Sequence, residues 1–258
     1  MLIRVSRHTP ADLVLWAELE EADMIHGRSP QMVRKEEKAI DVICEFVAHK
    51  PCYAGVSWGK DSTVLAHLVW RSMARLKYAI PLVWVRVEPI ANPDCDHVKN
   101  AFLERFYCDY HEVVEHCTRD IFGEWHASGT LERGFARAAD IAGMARHLSG
   151  VRGEESGDRT RRMRKWGTTT IRTCAPIGWW TAGDIYGYLA SYDLPVHPAY
   201  AMSGSGRFPR ERLRVASLGG RRGDGMGRAE WEREYYGETL RRLESRTTRP
   251  VDGAVAEG

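Results

Sequence analysis

The chain has 258 residues, of which 43% are hydrophobic and 28% charged, a balance that fits a soluble globular protein and excludes fibrous, collagen-like or wholly disordered classes. Its formal net charge is only +2, yet arginines crowd the stretch after Arg152, so the placement of charge is more informative than its sum. No apolar run has the length of a membrane span and the opening MLIRVSRHTPADLVLW lacks the basic-then-apolar order of a secretory signal, so the expected compartment is the cytoplasm.

Pro10 to Gly27 reads as a charged amphipathic helix and the expected N-terminal extension spans residues 1–29. A second helix starts at Ser29, a capping residue followed by Pro30, and its inward stripe is Val33, Ala39, Ile40, Ile43, Cys44 and Val47. Tyr53 to Val56 is a short strand, Thr63 to Arg75 a helix, Leu82 to Val87 a β-branched and aromatic strand, Asp94 to Phe106 a helix and Tyr110 to Val114 another strand. That alternation predicts an α/β fold: a parallel twisted sheet with helices on both faces, Rossmann-like.

Asp120 to Ser149 is helical in pattern, with Gly123, Gly129 and Gly134 read as breaks, and Gly150 to Gly153 as a strand running into a loop. Thr181 to Asp184 has the form of a capping box, so a helix starts beside Trp180 and ends near Asp193 and Pro195. The main domain is expected over residues 30–202, followed at 203–258 by an Arg-rich extension with a helix from Arg228 to Arg246 and a disordered tail from Thr247.

Between the first strand and its helix lies Ser57-Trp58-Gly59-Lys60-Asp61-Ser62-Thr63. A strand delivered straight into a helix directs free backbone N–H groups and the positive helix end at one spot, where anions bind. Gly59 allows close backbone approach, Lys60 adds a mobile positive charge, and the hydroxyls of Ser57, Ser62 and Thr63 can donate to phosphate oxygens. A carboxylate there makes sense if Asp61 holds Mg²⁺ or caps the helix. The Walker A spacing is absent, so a different class of phosphate loop is required.

The loop resembles Ser-Gly-Gly-Lys-Asp-Ser of the PP-loop ATP pyrophosphatase superfamily and, within it, of the phosphoadenosine phosphosulfate (PAPS) reductase-like family. Gly150-Val151-Arg152-Gly153-Glu154-Glu155-Ser156-Gly157-Asp158-Arg159 is similar to that family's second signature. Pro176 to Thr181 and Leu194 to Tyr200 resemble its third block. Trp58 stands where the family has the first of two glycines, which is tolerable at negative φ. The family's sulfate-assimilation reductases use a cysteine near the C-terminus, and the sequence has none after Cys174.

What the resemblance implies is a nucleotide pocket lined by Gly153, Glu155, Ser156, Arg152 and Arg159 beside the loop, with ATP and Mg²⁺ as the ligands. ATP is split to AMP and pyrophosphate while an acceptor is adenylylated; Lys60, Asp61, Arg152 and Arg159 are the expected catalytic residues. Members without the reductase cysteine and with basic surfaces include the ATP pyrophosphatases of DNA phosphorothioation systems, and the absent cluster spacing points to the Ssp type. DNA as acceptor, a cysteine desulfurase and further phosphorothioation subunits as partners follow from that resemblance.

Arg161, Arg162, Arg164 and Lys165 around Trp166, with Arg212 and Arg214 later, form the expected nucleic-acid surface, to which Arg207, Arg210, Arg221 and Arg222 add charge. Two other functions stay open: a thioredoxin-dependent PAPS or APS reductase, and a non-catalytic nucleotide-sensing, DNA-binding subunit. The six cysteines, Cys44, Cys52, Cys95, Cys108, Cys117 and Cys174, show no C-x-x-C pair and are expected as free thiols, with Cys44 and Cys52 in the core. Cys174 is the best-placed candidate for carrying sulfur. His197, Glu88 and Asp94 are read as possible nucleotide or acceptor contacts as well as ordinary loop residues.

Overall fold

A computed structural model describes residues 1–76, 79–118, 128–219 and 227–245. Five strands, β1 (Tyr53–Val56), β2 (Leu82–Glu88), β3 (Tyr110–His116), β4 (His147–Ser149) and β5 (Thr173–Cys174), form one parallel sheet in the order β3-β2-β1-β4-β5. The helices are α1 (Pro10–Gly27), α2 (Pro30–His49), α3 (Lys60–Leu76), α4 (Asp94–Arg105), α5 (Ser128–Ala142), α6 (Gly157–Trp166), α7 (Ala182–Ser191) and α8 (Arg228–Ser245).

Parallel strands need covered faces, and the strand side chains split by parity to meet that need. Ala54, Val56, Leu82 and Trp84 join α2, α3, α4 and α7 in the main core, whereas Tyr53, Val83, Val85 and Val113 pack with Ala138 of α5 on the opposite face. The expected α/β class is thus observed, with helices on both faces. No helix among the described residues is long and apolar enough to cross a membrane.

Several local expectations are corrected. Val33 is half exposed, and the buried stripe of α2 runs through Met32 and Glu36 instead. The strand read at Gly150–Gly153 lies just before that stretch, at His147–Ser149, within the segment read as helical. Gly129 and Gly134 break nothing: both lie inside α5, and a Cβ on Gly134 would sit 2.2 Å from Val85 Cγ1, so this glycine lets α5 press onto β2. Gly123, Arg221, Arg222, Arg246 and the tail from Thr247 lie outside the described residues.

Helix α1 starts on a Thr9–Asp12 capping box and packs on α7. Its buried side chains include two carboxylates: Asp12 accepts from Ser203 N (3.1 Å) and the Tyr235 hydroxyl (3.0 Å), and Asp23 pairs with Arg210 at 2.7 Å. Asp184, at the start of α7, binds both His26 of α1 (3.0 Å) and Lys35 of α2 (2.6 Å). Burial pushes the carboxylates of Asp12 and Asp184 up, but hydrogen bonds from Thr9 and Tyr235 to the first, and from Lys35, Thr181 and His26 to the second, hold both below their ordinary range.

Candidate functional site: the mouth of strands one and four

The chain runs outward from β1 to β2 and β3, then returns to the other side of β1 as β4. The carboxyl ends of β1 and β4 therefore diverge at a topological switch point, where open α/β sheets bind ligands. From β1 comes the loop Ser57–Gly59 and the first turn of α3; from β4 comes Gly150 and then Arg152. The two segments touch, since a Cβ on Gly150 would lie 3.1 Å from the carbonyl carbon and oxygen of Asp61.

Loop geometry is set by its own hydroxyls and one distant phenol. Ser62 Oγ accepts from Ser57 N (3.1 Å) and donates to Gly59 O (3.1 Å), and Thr63 Oγ1 donates to the same carbonyl at 3.1 Å. The first amide of α3, Lys60 N, donates to the Tyr200 hydroxyl at 3.0 Å, with Lys60 Nζ 5.3 Å from that ring's centre. Burial and the nearby Asp61 carboxylate push the Tyr200 phenol up, so it stays protonated.

Trp58 is corrected: its φ is +60°, in the left-handed region that favours glycine, not the negative value its residue type predicts. Its fully buried indole packs against Phe102 and Tyr110, with ring centres 5.5 and 5.9 Å away. The side chain is thus an anchor under the loop, not a wall beside a nucleotide. Strain of roughly 1–2 kcal/mol at such a φ is the cost of that anchor.

Four charged groups meet at the mouth. Arg152, 1% exposed, donates from Nε to Asp61 Oδ1 at 2.5 Å and from Nη1 to Glu154 Oε2 at 2.6 Å and the Trp180 carbonyl at 3.2 Å. Lys60, also buried, donates to Asp61 Oδ2 at 3.0 Å. The Asp61 carboxylate is therefore bracketed by two buried cations at the positive end of α3, and the more exposed Glu154 balances the second of them from the outer side. Burial alone would lower the Arg152 guanidinium, but Asp61 and Glu154 hold it above its usual value, so it is charged throughout.

The remaining residues read from the sequence divide. Glu155 Oε2 accepts from Arg152 N (3.0 Å) and from the Arg159 guanidinium, while Ser156 caps α6 by accepting from Arg159 N at 3.2 Å. Gly153 N donates to Gly178 O at 2.8 Å. Gly153, Glu155, Ser156 and Arg159 thus shape the second loop and orient Arg152, and the group brought directly onto the phosphate loop is Arg152. Asp61 is an ion-pair partner, not the side-chain cap of α3 that was one of its two expected roles.

Tyr200 and Glu154 are additions the sequence pattern did not single out. Glu154 also accepts from Ala182 N at 2.6 Å, tying the second loop to the start of α7. Tyr200 lies inside the third block, but no spacing rule says its hydroxyl reaches a loop 140 residues upstream.

Arg162, Arg164, Lys165, Arg212 and Arg214 are exposed, and Arg161 pairs with Asp158 on the surface. Arg210 is corrected: it is buried against Asp23 and Tyr186, so it serves the fold and not a polyanion surface. Each of the six thiols is pushed up by burial, Cys52 to about 12. Cys44, expected in the core, is only half-buried. His197 is fully buried and lowered to about 3 by desolvation, and Asp94 is buried under Arg7 and Tyr236, so both are structural. A cleft of about 990 Å³ lined by Phe46, Pro51, Arg146 and Ile171 opens at the amino ends of β1, β4 and β5, away from the charged mouth.

Asp61 and the surrounding donors fit Mg²⁺ only in the way that ion usually comes, carried on phosphates with one or two carboxylates from the protein. No group of three or more His, Cys, Asp or Glu among the described residues makes a cage for a metal of its own.

No curated protein matches the chain. Among solved structures, a PAPS reductase from Candida auris, as a phosphate complex, is 11% identical over 66% of this chain and 89% of that one, with a TM-score of 0.44. An FMN adenylyltransferase from Candida glabrata, in complex with ATP, is 14% identical over 76% and 70%, with a TM-score of 0.45. A second structure of the Candida glabrata FMN adenylyltransferase is 14% identical over 74% and 67%, with a TM-score of 0.48. The family model of the phosphoadenosine phosphosulfate reductase domain matches residues 51–221, which span the sheet, the phosphate loop and the second loop. The chain belongs to the phosphoadenosine phosphosulfate reductase domain family.

Proposed function

We propose that the chain is an ATP pyrophosphatase that activates an acceptor by adenylylation, and that the acceptor is a DNA backbone phosphate prepared for sulfur insertion. The observation that carries the first half is the Lys60–Asp61–Arg152 bracket at the amino end of α3. Two buried cations and a helix terminus around one carboxylate supply fixed positive charge where a leaving pyrophosphate gathers negative charge. Lys60 would follow the β- and γ-phosphates, Arg152 would face the α-phosphate, and Asp61 would hold the Mg²⁺ that arrives with ATP. Bound Mg²⁺ neutralises phosphate charge.

In this scheme a non-bridging oxygen of the acceptor phosphate attacks the α-phosphorus, the bond to the β-phosphate oxygen breaks, and pyrophosphate leaves. A sulfur nucleophile delivered from a cysteine desulfurase then attacks the acceptor phosphorus, and AMP departs with the original oxygen. The exposed cations of α6, with Arg212 and Arg214, support a polyanionic acceptor. Sulfonucleotide reduction is the reading that the family name favours, but it requires a thiolate, and burial raises every one of the six thiols.

The test is to incubate the protein with ATP, Mg²⁺, DNA and a cysteine desulfurase and to separate the nucleotide products. AMP and pyrophosphate are expected, and Lys60→Ala should abolish both. Formation of ADP and phosphate only, or no turnover with every component present, would overturn the proposal; sulfite release from PAPS would replace it with the reductase.

A further inference from the structure

The phosphate-loop mouth has an unusual rim. Gly178 O accepts from Gly153 N at 2.8 Å and Trp180 O accepts from Arg152 Nη1 at 3.2 Å, so both neighbours of Trp179 are pinned to the second loop. The Trp179 indole between them is nevertheless 54% exposed. Helix α6 leads away from the same loop, and its Met163 sulfur lies within 3.4 Å of a Cβ placed on either Gly153 or Gly178. One turn further on, Trp166 is 63% exposed.

Two exposed indoles, one beside the mouth and one at the far end of α6, leave a large apolar area in water, where aromatic side chains of this size normally bury most of their surface. They are interleaved with cations: Arg162, Lys165 and Trp166 stand at i, i+3 and i+4, one stripe of the helix, with Lys165 Nζ 4.8 Å from the Trp166 ring centre. Arg162, Arg164 and Lys165 are exposed and have no carboxylate partner among the described residues. Fixed cations alternating with aromatic faces are what an unpaired strand requires, phosphates for the charges and bases for the rings. Duplex DNA offers the phosphates but keeps its bases stacked inside.

We propose that Trp179, Trp166 and the cations of α6 form a binding lip for single-stranded DNA, so that the acceptor phosphate reaches the site on an unpaired strand. This deepens the proposed function and rests on its nucleic-acid acceptor. Helix α6, about 15 Å long, would lay that strand from Trp166 towards Trp179 and the mouth.

Fluorescence anisotropy with a labelled oligothymidylate and with a hairpin duplex of the same length tests it. The single strand should bind at least tenfold tighter than the duplex and quench tryptophan fluorescence. In Trp166→Ala/Trp179→Ala, whose positions are exposed, the fold should survive by circular dichroism while single-strand affinity falls at least tenfold and the salt slope stays. Arg162→Gln/Arg164→Gln/Lys165→Gln should instead flatten that slope by about 2.

Equal binding of both probes, or tryptophan variants that bind the single strand like the parent protein, overturns the lip. If those same variants lose a cysteine desulfurase in pull-down, the indoles are a protein contact. Pyrophosphate release is assayed separately: release with no single-strand preference sinks only the lip, and a tryptophan-dependent preference with no release sinks only the adenylylation.

Discussion

At the scale of single residues, Arg152 and Trp58 mark the two ends of the site's design, one carrying charge and the other carrying shape. Arg152 is held through Nε and Nη1, which go to Asp61, Glu154 and a backbone carbonyl, and only a planar fork serves all three. Arg152→Lys keeps the charge but supplies one point of contact. Pyrophosphate release should fall on the order of 100-fold with little change in apparent ATP affinity, as steady-state kinetics across ATP concentrations would show; a change confined to affinity would place Arg152 in ground-state binding. Trp58→Gly removes the strain of the left-handed residue, roughly 1–2 kcal/mol, but also removes a buried indole, a loss of about 3–5 kcal/mol. The balance is a destabilisation of about 2 kcal/mol, read as a thermal midpoint lower by about 6 °C. A higher midpoint would mean that the indole is not an anchor.

Among the elements, the closest approach of α1 to α7 is at Gly27 and Gly187, where the two backbones meet. A Cβ on Gly27 would lie 2.1 Å from Gly187 O of α7 and equally close to Ser191 Oγ, and one on Gly187 would meet Gly27 N at 3.0 Å. A carbonyl inside a helix cannot move aside, so Gly27→Ala should cost about 1–3 kcal/mol, measured by denaturant unfolding. Gly237→Ala, in α8 with no atom within 4 Å of the new Cβ, is the control and should stabilise by up to about 1 kcal/mol.

That contact also shows where the sequence was readable. Strands such as Leu82–Glu88 announce themselves because apolar residues on both faces, Leu82 and Trp84 on one and the valines on the other, are what a covered parallel sheet needs. The capping box at Thr181 and the capping hydroxyl of Ser29 set their helices for equally local reasons. Close approach is different, because a glycine that admits another helix looks identical in sequence to one that ends its own, which is why Gly134 reads as a break. The candidate site divides the same way. Loop and second signature are contiguous motifs, while the Tyr200 hydroxyl and the positive φ of Trp58 are products of packing and are visible only in three dimensions.

For the molecule as a whole, histidines lowered by burial contribute to the behaviour in acid, and the two most deeply buried are His67 and His197; His147 is lowered by burial in the same direction. His67 accepts or donates at Nδ1 with the Tyr188 hydroxyl (2.9 Å), beside Arg71 and Arg105, and burial first and those guanidiniums second lower it to about 3. His197 accepts from Ala199 N at Nδ1, and its burial outweighs the attraction of Asp94, so it too is lowered to about 3. Both are neutral in the folded protein and ordinary in the unfolded chain, which therefore binds more protons between about pH 6.5 and pH 3. Stability rises with pH where the unfolded state holds the extra protons, so it is intact above about pH 6.5 and falls as pH drops through that window. Each histidine contributes a slope of up to about 1.4 kcal/mol per pH unit. Urea unfolding at pH 7.5 and pH 5 should show the midpoint falling at the lower pH, and the fall should be smaller in His67→Gln, whose amide retains a partner for Tyr188 without titrating. A pH-independent midpoint across that interval would mean that neither ring is held neutral, and that the packing of α3 and α7 around His67 is looser than the buried ring requires.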